Sequence, residues 1–204
     1  MKTCKGVIGV FSSSYPITAE APEAAARAAA YLQSRGWQVK LGELAGKRDF
    51  YRSGTIRERA AEFNHLLRDP EVTHLMASVG GMVSNALLPY IDYGFLREHP
   101  KPVIGLSDAA ALLLGIYQKT GQTTYYGPNL VTVFGQRPPL LDFSLERMEA
   151  VLGGSPLPLP CPMPPVYSDE PTDWSREVPE RTQLPNRWVT VRPGAAEGRL
   201  LGGN

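Results

Sequence analysis

Two residue types that often carry chemistry are scarce in this 204-residue chain. It has two cysteines, Cys4 and Cys161, and three histidines, His65, His74 and His99. Two cysteines cannot form a disulfide framework and fall short of the ligands of a structural zinc site. No run approaches the ~18 apolar residues of a membrane helix, so no membrane association is expected. An excess of one charge is missing too. Lys plus Arg is 21 and Asp plus Glu is 20, for a net charge of +1. That balance argues against a protein that coats nucleic acid. The first apolar run, Gly6 to Phe11, lacks a small-residue cleavage pattern behind it. It reads as a strand rather than a leader, and the cytoplasm is the expected location.

What remains is a globular composition. Hydrophobic residues make up 43% and charged residues 20%, enough to bury a core. The length fits one domain, or one domain plus part of a second. Short apolar runs at Val7–Phe11, Gln38–Leu41, His74–Val79 and Pro102–Gly105 read as strands. Helical patterns lie between them. Thr18 is the expected cap of an Ala-rich helix that Gly36 ends. Ile56, Ala60, Phe63 and Leu67 fall on one helix face. Ser84–Ile91 and Ser107–Lys119 also read as helical, and 122–134 as partly extended. Alternating strands and helices, with strands apolar on both faces, predict an α/β fold. Its sheet is doubly wound and mostly parallel. Ligands of such sheets bind beyond the carboxyl ends of the strands. The loops Ser12–Tyr15, Val79–Ser84 and Leu106–Asp108 fall there.

After Phe134 the composition changes, because prolines recur from Pro138 to Pro165. The expected division is therefore an α/β domain over 1–137 and a proline-rich linker over 138–187. The linker carries one short helix near Phe143–Val151. Residues 188–204 are expected to enter another domain, with Trp188–Val191 as a strand.

Gly105-Leu106-Ser107-Asp108-Ala109, between an apolar strand and an apolar helix, fits a nucleophile elbow. The sharp turn needs small residues two positions either side of the serine. It would present the Ser107 hydroxyl to the cleft, beside helix N-terminal amides that can hold an oxyanion. The alternative is that Ser107 simply caps its helix. In Ser78-Val79-Gly80-Gly81-Met82-Val83-Ser84-Asn85, paired glycines let a substrate approach the backbone. A Gly81 or Met82 amide could then donate to an oxyanion. An ordinary turn with Ser84 as cap is the alternative. None of the three histidines is expected beside Ser107, so the general base of a serine nucleophile is not found. Arg48, Arg52, Arg57 and Arg59 read as a solvated face. Trp174 can stack on a ligand ring or pack its loop down.

Taken together, Tyr51–Ala60, Ser78–Asn85, Leu87–Tyr93 and Ile104–Ala109 resemble the LD-carboxypeptidase family of serine peptidases. The Gly-Gly-Met-x-Ser-Asn form and Thr172-Asp173-Trp174-Ser175 are most similar to its microcin C self-immunity branch. The resemblance implies that 1–137 is a nucleophile domain and that 188–204 begin a strand-rich C-terminal domain which the chain does not complete, with Ser107 as nucleophile and the amides of Gly81, Met82 and Asp108 as the oxyanion region. It implies Gly80, Ser84, Asn85 and Trp174 as substrate contacts, with Trp174 stacking on a nucleotide-like part. It implies no metal and no organic cofactor. The substrate would be a small peptide or peptidyl-nucleotide conjugate, and a homodimer is open. The family's catalytic Glu and His follow a segment like Gly202-Gly203-Asn204, so neither can be assigned here. The expectation is a serine carboxypeptidase whose isolated chain is inactive. The alternative is a module that binds and sequesters a peptide or nucleotide conjugate.

Overall fold

The run Gly6–Phe11 forms the first strand, β1, and sits inside a five-stranded parallel sheet. The computed structural model describes residues 4–138, 140–155, 159–174 and 176–198. Strand β2 (Trp37–Leu41) pairs with one edge of β1, from Gly6↔Trp37 to Val10↔Leu41. Strand β3 (His74–Ala77) pairs with the other edge, from Ile8↔His74 to Phe11↔Ala77. Then come β4 (Val103–Gly105) and the two-residue edge strand β5 (Tyr125–Tyr126). The order β2-β1-β3-β4-β5 reverses direction between β1 and β3. In a doubly wound sheet the crevice opens at that point.

The alternation of side chains along the three central strands, β1, β3 and β4, feeds two apolar layers. Ile8, Val10, Met76 and Ile104 face one layer with Ala24, Ala28 and Leu32 of helix α2 (Pro22–Ser34). Phe11, Leu75, Ala77 and Val103 face the other. There they meet Phe63 and Leu67 of α3 (Ile56–Arg68) and Leu112 and Ile116 of α5 (Ala110–Thr120). Strands buried on both faces have no polar side to show, which is why they appear as short apolar runs.

Thr18 does not cap the Ala-rich helix. It lies buried within a separate turn of helix, α1 (Ile17–Glu20), and accepts from the Gly46 amide at 3.1 Å. Helix α2 then starts on Pro22, whose missing N–H is no loss at a first helical position. Helix α3 opens with a reciprocal Thr55–Glu58 capping box. Helix α4 (Tyr93–Glu98) was not anticipated, and Asp92 caps it through the Phe95 amide at 2.9 Å. Residues Ser84–Tyr90 form a tight 3-10 segment, and Leu130–Phe134 a wider π turn.

The proline-rich stretch is more than a connector. Helix α6 (Leu140–Leu152) is longer than expected, and Leu145 and Met148 are buried in the α2-side core. Val178 is buried as well. Beyond α6 the described residues hold a two-residue antiparallel pair, β6 (Val166–Tyr167) with β7 (Leu184–Pro185). The strand expected at Trp188–Val191 is not formed, and Trp188, Val189 and Val191 are exposed. The last six residues of the expected C-terminal segment lie outside the described residues. Among the described residues, no helix is long and apolar enough to cross a membrane.

Candidate active site at the carboxyl edge of the sheet

Strand β4 ends at Gly105, Leu106 stays extended, and Ser107 turns to φ +60 before α5 begins. A left-handed backbone costs a non-glycine residue about 1–2 kcal/mol. Crowding across the turn is severe: a Cβ on Gly105 would lie 2.7 Å from the Ala109 Cβ. The turn therefore needs the small residues that flank it, and it leaves Ser107 exposed. Its amide donates to the Tyr126 hydroxyl on β5 at 3.3 Å.

The paired glycines lie against this elbow. A Cβ on Gly80 would fall 3.0 Å from the Ser107 Cβ and 3.1 Å from the Asp108 nitrogen. Gly81 has φ +147, and a Cβ there would fall 2.2 Å from the Ser14 Oγ. So the loops after β1, β3 and β4 meet at one place, as the topology requires.

Two amides beside the elbow, both expected to face an oxyanion, are left without a protein acceptor among the described residues. Asp108 stands in a first helical turn, where an amide has no intrahelical acceptor. Among the described residues, none accepts from the Gly81 amide. The Met82 amide is not available, because it donates to the Ser14 hydroxyl at 3.0 Å, as Val83 does at 3.1 Å. The oxyanion expectation for Met82 is thereby corrected. Its exposed side chain still borders the mouth.

Ser84, expected at the substrate, is fully buried. Its amide and hydroxyl both donate to Asp108 Oδ2, at 2.9 and 2.7 Å. It joins the glycine bend to the elbow and has no face left for a ligand. Asn85 is exposed at the start of the 3-10 segment, and Gly80 is buried beneath the elbow.

Trp174 lies elsewhere. It is half-buried against the α2-side core and lines a cleft of about 220 Å³ with Glu20, Pro22, Arg27 and Arg176. Glu20 links this cleft to the site, because it accepts from the Tyr15 hydroxyl, which that bond holds above its usual pKa. A larger, mainly apolar cleft of about 790 Å³ runs beside the elbow, lined by Leu106, Tyr125, Tyr126, Phe143 and Met148.

Three polar residues at this edge were not expected. Glu62 is buried and accepts from the Ser12 amide at 2.6 Å and the Leu44 amide at 2.7 Å. Burial pushes its carboxyl above the usual range. Ser14 is described above. Arg59, read as part of a solvated face, is 1% exposed. Its position three residues after Ile56 and four before Phe63 was the available signal, since that spacing places it toward the apolar face.

The histidines are not at the elbow. His74 begins β3, at the opposite end of the sheet, packed edge-on against Trp37. His65 faces Glu43 at 3.2 Å, and His99 follows α4 against Phe95. Among the described residues no group of His, Cys, Asp and Glu is arranged to hold a metal ion.

Residues 8–127 match the LD-carboxypeptidase N-terminal domain. This chain belongs to the LD-carboxypeptidase family. The Escherichia coli microcin C7 self-immunity protein MccF is 43% identical over 200 residues, covering 97% of this chain and 58% of MccF. A Vibrio cholerae protein provisionally named a carboxypeptidase is 47% identical over 197 residues, covering 97% of this chain and 59% of its own length. A solved structure of MccF in complex with aspartyl sulfamoyl adenosine superposes with a TM-score of 0.83 at 41% identity. It covers 90% of this chain and 56% of that one. The chain thus spans less than three fifths of the length of these relatives. In this LD-carboxypeptidase domain the elbow and the paired glycines both fall inside the matched region.

Proposed function

We propose that this chain carries the nucleophile of a serine-type carboxypeptidase that acts by acyl transfer on small peptides or peptidyl-nucleotide conjugates. The observation that carries the reading is Ser107, exposed and left-handed at a strand-to-helix turn, with the Gly80 backbone packed against it. Its Oγ would bond to the substrate carbonyl while the oxygen gathers charge between the Gly81 and Asp108 amides. The C–N bond then breaks, and the proton from Oγ passes through a general base to the leaving amine. Water repeats the steps to free the acid and restore the serine. A peptidyl-nucleotide substrate is supported by the aspartyl sulfamoyl adenosine bound to MccF. The Trp174 cleft is the proposed place for an aromatic end of such a substrate.

With no histidine at the elbow, residues 1–204 alone are expected to hydrolyse nothing at a useful rate, since losing a triad member removes about 10³–10⁶ of rate. The test is the purified chain against an aspartyl-adenylate analogue and a murein tetrapeptide. Turnover that Ser107→Ala abolishes would mean that a base within these residues has been overlooked. The position of the histidines also favours a second reading, a module that binds such a conjugate without cutting it. Tryptophan fluorescence on ligand addition separates the two: a response equal in the chain and in Ser107→Ala, with no acyl adduct by mass spectrometry, favours the module.

A further inference from the structure

Arg59 is the largest fully buried side chain among the described residues. It forms no ion pair with any of them, and its Nη2 has no acceptor among them. Burial pushes its pKa down, and Arg52 pushes in the same direction, while Asp108 and Asp49 oppose. A cation is a poor choice for filling space, because burial penalises charge unless hydrogen bonds offset it. Here the bonds all go to main-chain carbonyls. Nε donates to Gly54 at 2.9 Å, and Nη1 donates to Ser13 and, at 3.3 Å, to Val83.

Two of those carbonyls sit one residue before the groups that shape the bend. Ser13 precedes Ser14, whose hydroxyl takes the Met82 and Val83 amides. Val83 precedes Ser84, which donates twice to Asp108. The Val83 carbonyl and the Ser84 amide belong to one peptide group. A cation on the carbonyl strengthens the amide as a donor to Asp108.

We propose that Arg59 is a positioning residue for the oxyanion cradle. Its guanidinium pins Ser13 on one side and Val83 on the other, so that Ser14 and Asp108 hold the Gly80–Ser84 bend against the Ser107 elbow. The catalytic consequence rests on the acyl-transfer reading, whereas the clamp does not. The capping box at Thr55–Glu58 sets where the first turn of α3 starts, and so where the guanidinium stands. The gap between Ser14 and Gly81 is closed to a Cβ, so small movements of Ser13 pass directly to the bend.

Amide hydrogen exchange of the whole chain by NMR tests the clamp. In Arg59→Lys and Arg59→Met, exchange at Met82, Val83 and Ser84 should rise about tenfold or more, while β1, β3 and the middle of α3 change by less than about twofold. Ser14→Ala should loosen Met82 and Val83 but leave Ser84 protected. Met fills the volume of the arginine, so a space-filling role predicts that Arg59→Met restores protection. Unchanged protection at 82–84 in either folded variant overturns the proposal. If neither variant folds, the wild-type guanidinium decides. Slow rotation of the Arg59 Nη hydrogens is expected, and fast averaging overturns the clamp. Phenylboronic acid, which forms a tetrahedral adduct on an active serine, reads the catalytic consequence. Its affinity should fall about tenfold in Arg59→Lys. A wild-type chain that forms no adduct is what the missing general base predicts, so the clamp then stands or falls on the exchange pattern alone.

Discussion

The two ends of the five-stranded sheet are tied by different means. At the amino ends, side chains near the surface bond neighbouring main chain. Thr73 Oγ1 accepts from the Val7 amide at 2.9 Å and donates to its carbonyl at 3.0 Å, and Lys101 donates to the Asp69 carbonyl at 2.6 Å. At the carboxyl ends the polar groups go inside. Arg59, Glu62, Ser14 and Ser84 are all buried; the first three bond the main chain of a loop, and Ser84 bonds the Asp108 carboxylate. Among the described residues, the two non-glycine residues with left-handed backbone, Phe50 and Ser107, also follow strands at this end. Buried polar networks and stored strain are costly, and a fold that keeps both at one edge marks that edge as its working surface.

Substitutions at the two ends should therefore differ in size. Gly81→Ala adds a methyl where Ser14 already stands, at a backbone angle unsuited to alanine. It should lower stability by about 3 kcal/mol in chemical denaturation. A loss below that of the amino-end variant Thr73→Val would break the comparison. Thr73→Val removes two hydrogen bonds at the rim and should cost about 1 kcal/mol. Ser107→Gly should do the reverse and stabilise by about 0.5 kcal/mol, since relief of the left-handed strain exceeds the entropy lost by glycine. The smallest effect is expected from pH. Burial holds the His74 imidazole below its ordinary value of 6.5. The folded state thus binds fewer protons than the unfolded one near that pH. The stability this confers is full above 6.5 and is lost as pH falls below it. His74→Gln should flatten the fall in melting temperature between about pH 7.5 and 5.5 by about 1–2 °C, measured by calorimetry.

The frame of the molecule was legible because apolar pattern is a local property. Val7–Phe11, Ile56–Leu67 and Pro102–Gly105 each announce an element from their own neighbours, and the Gly105/Ala109 spacing announces the elbow. The polar half of the site was not legible in the same way. Ser14 ends a run of three serines that resembles loop filler, and only the approach of Gly81 gives its hydroxyl two amides to accept. Ser84, which the resemblance implied as a substrate contact, is taken instead by Asp108 arriving from another strand. Asp108 was noticed for its amide, while its carboxylate makes the tie. Helix α6 was underestimated because prolines on both sides hid the burial of Leu145 and Met148. Arg59 was the exception, since its helical spacing against Ile56 and Phe63 was already in the sequence.

The left-handed turn at position 107 limits which alcohol can stand there. A side chain branched at Cβ is a genuine outlier at that backbone angle, so threonine, the other aliphatic hydroxyl, is shut out by shape before its chemistry matters. Asparagine, aspartate and glycine accept the bend, but none of them offers a hydroxyl. Among the genetically encoded aliphatic alcohols, the curve of the chain admits serine alone.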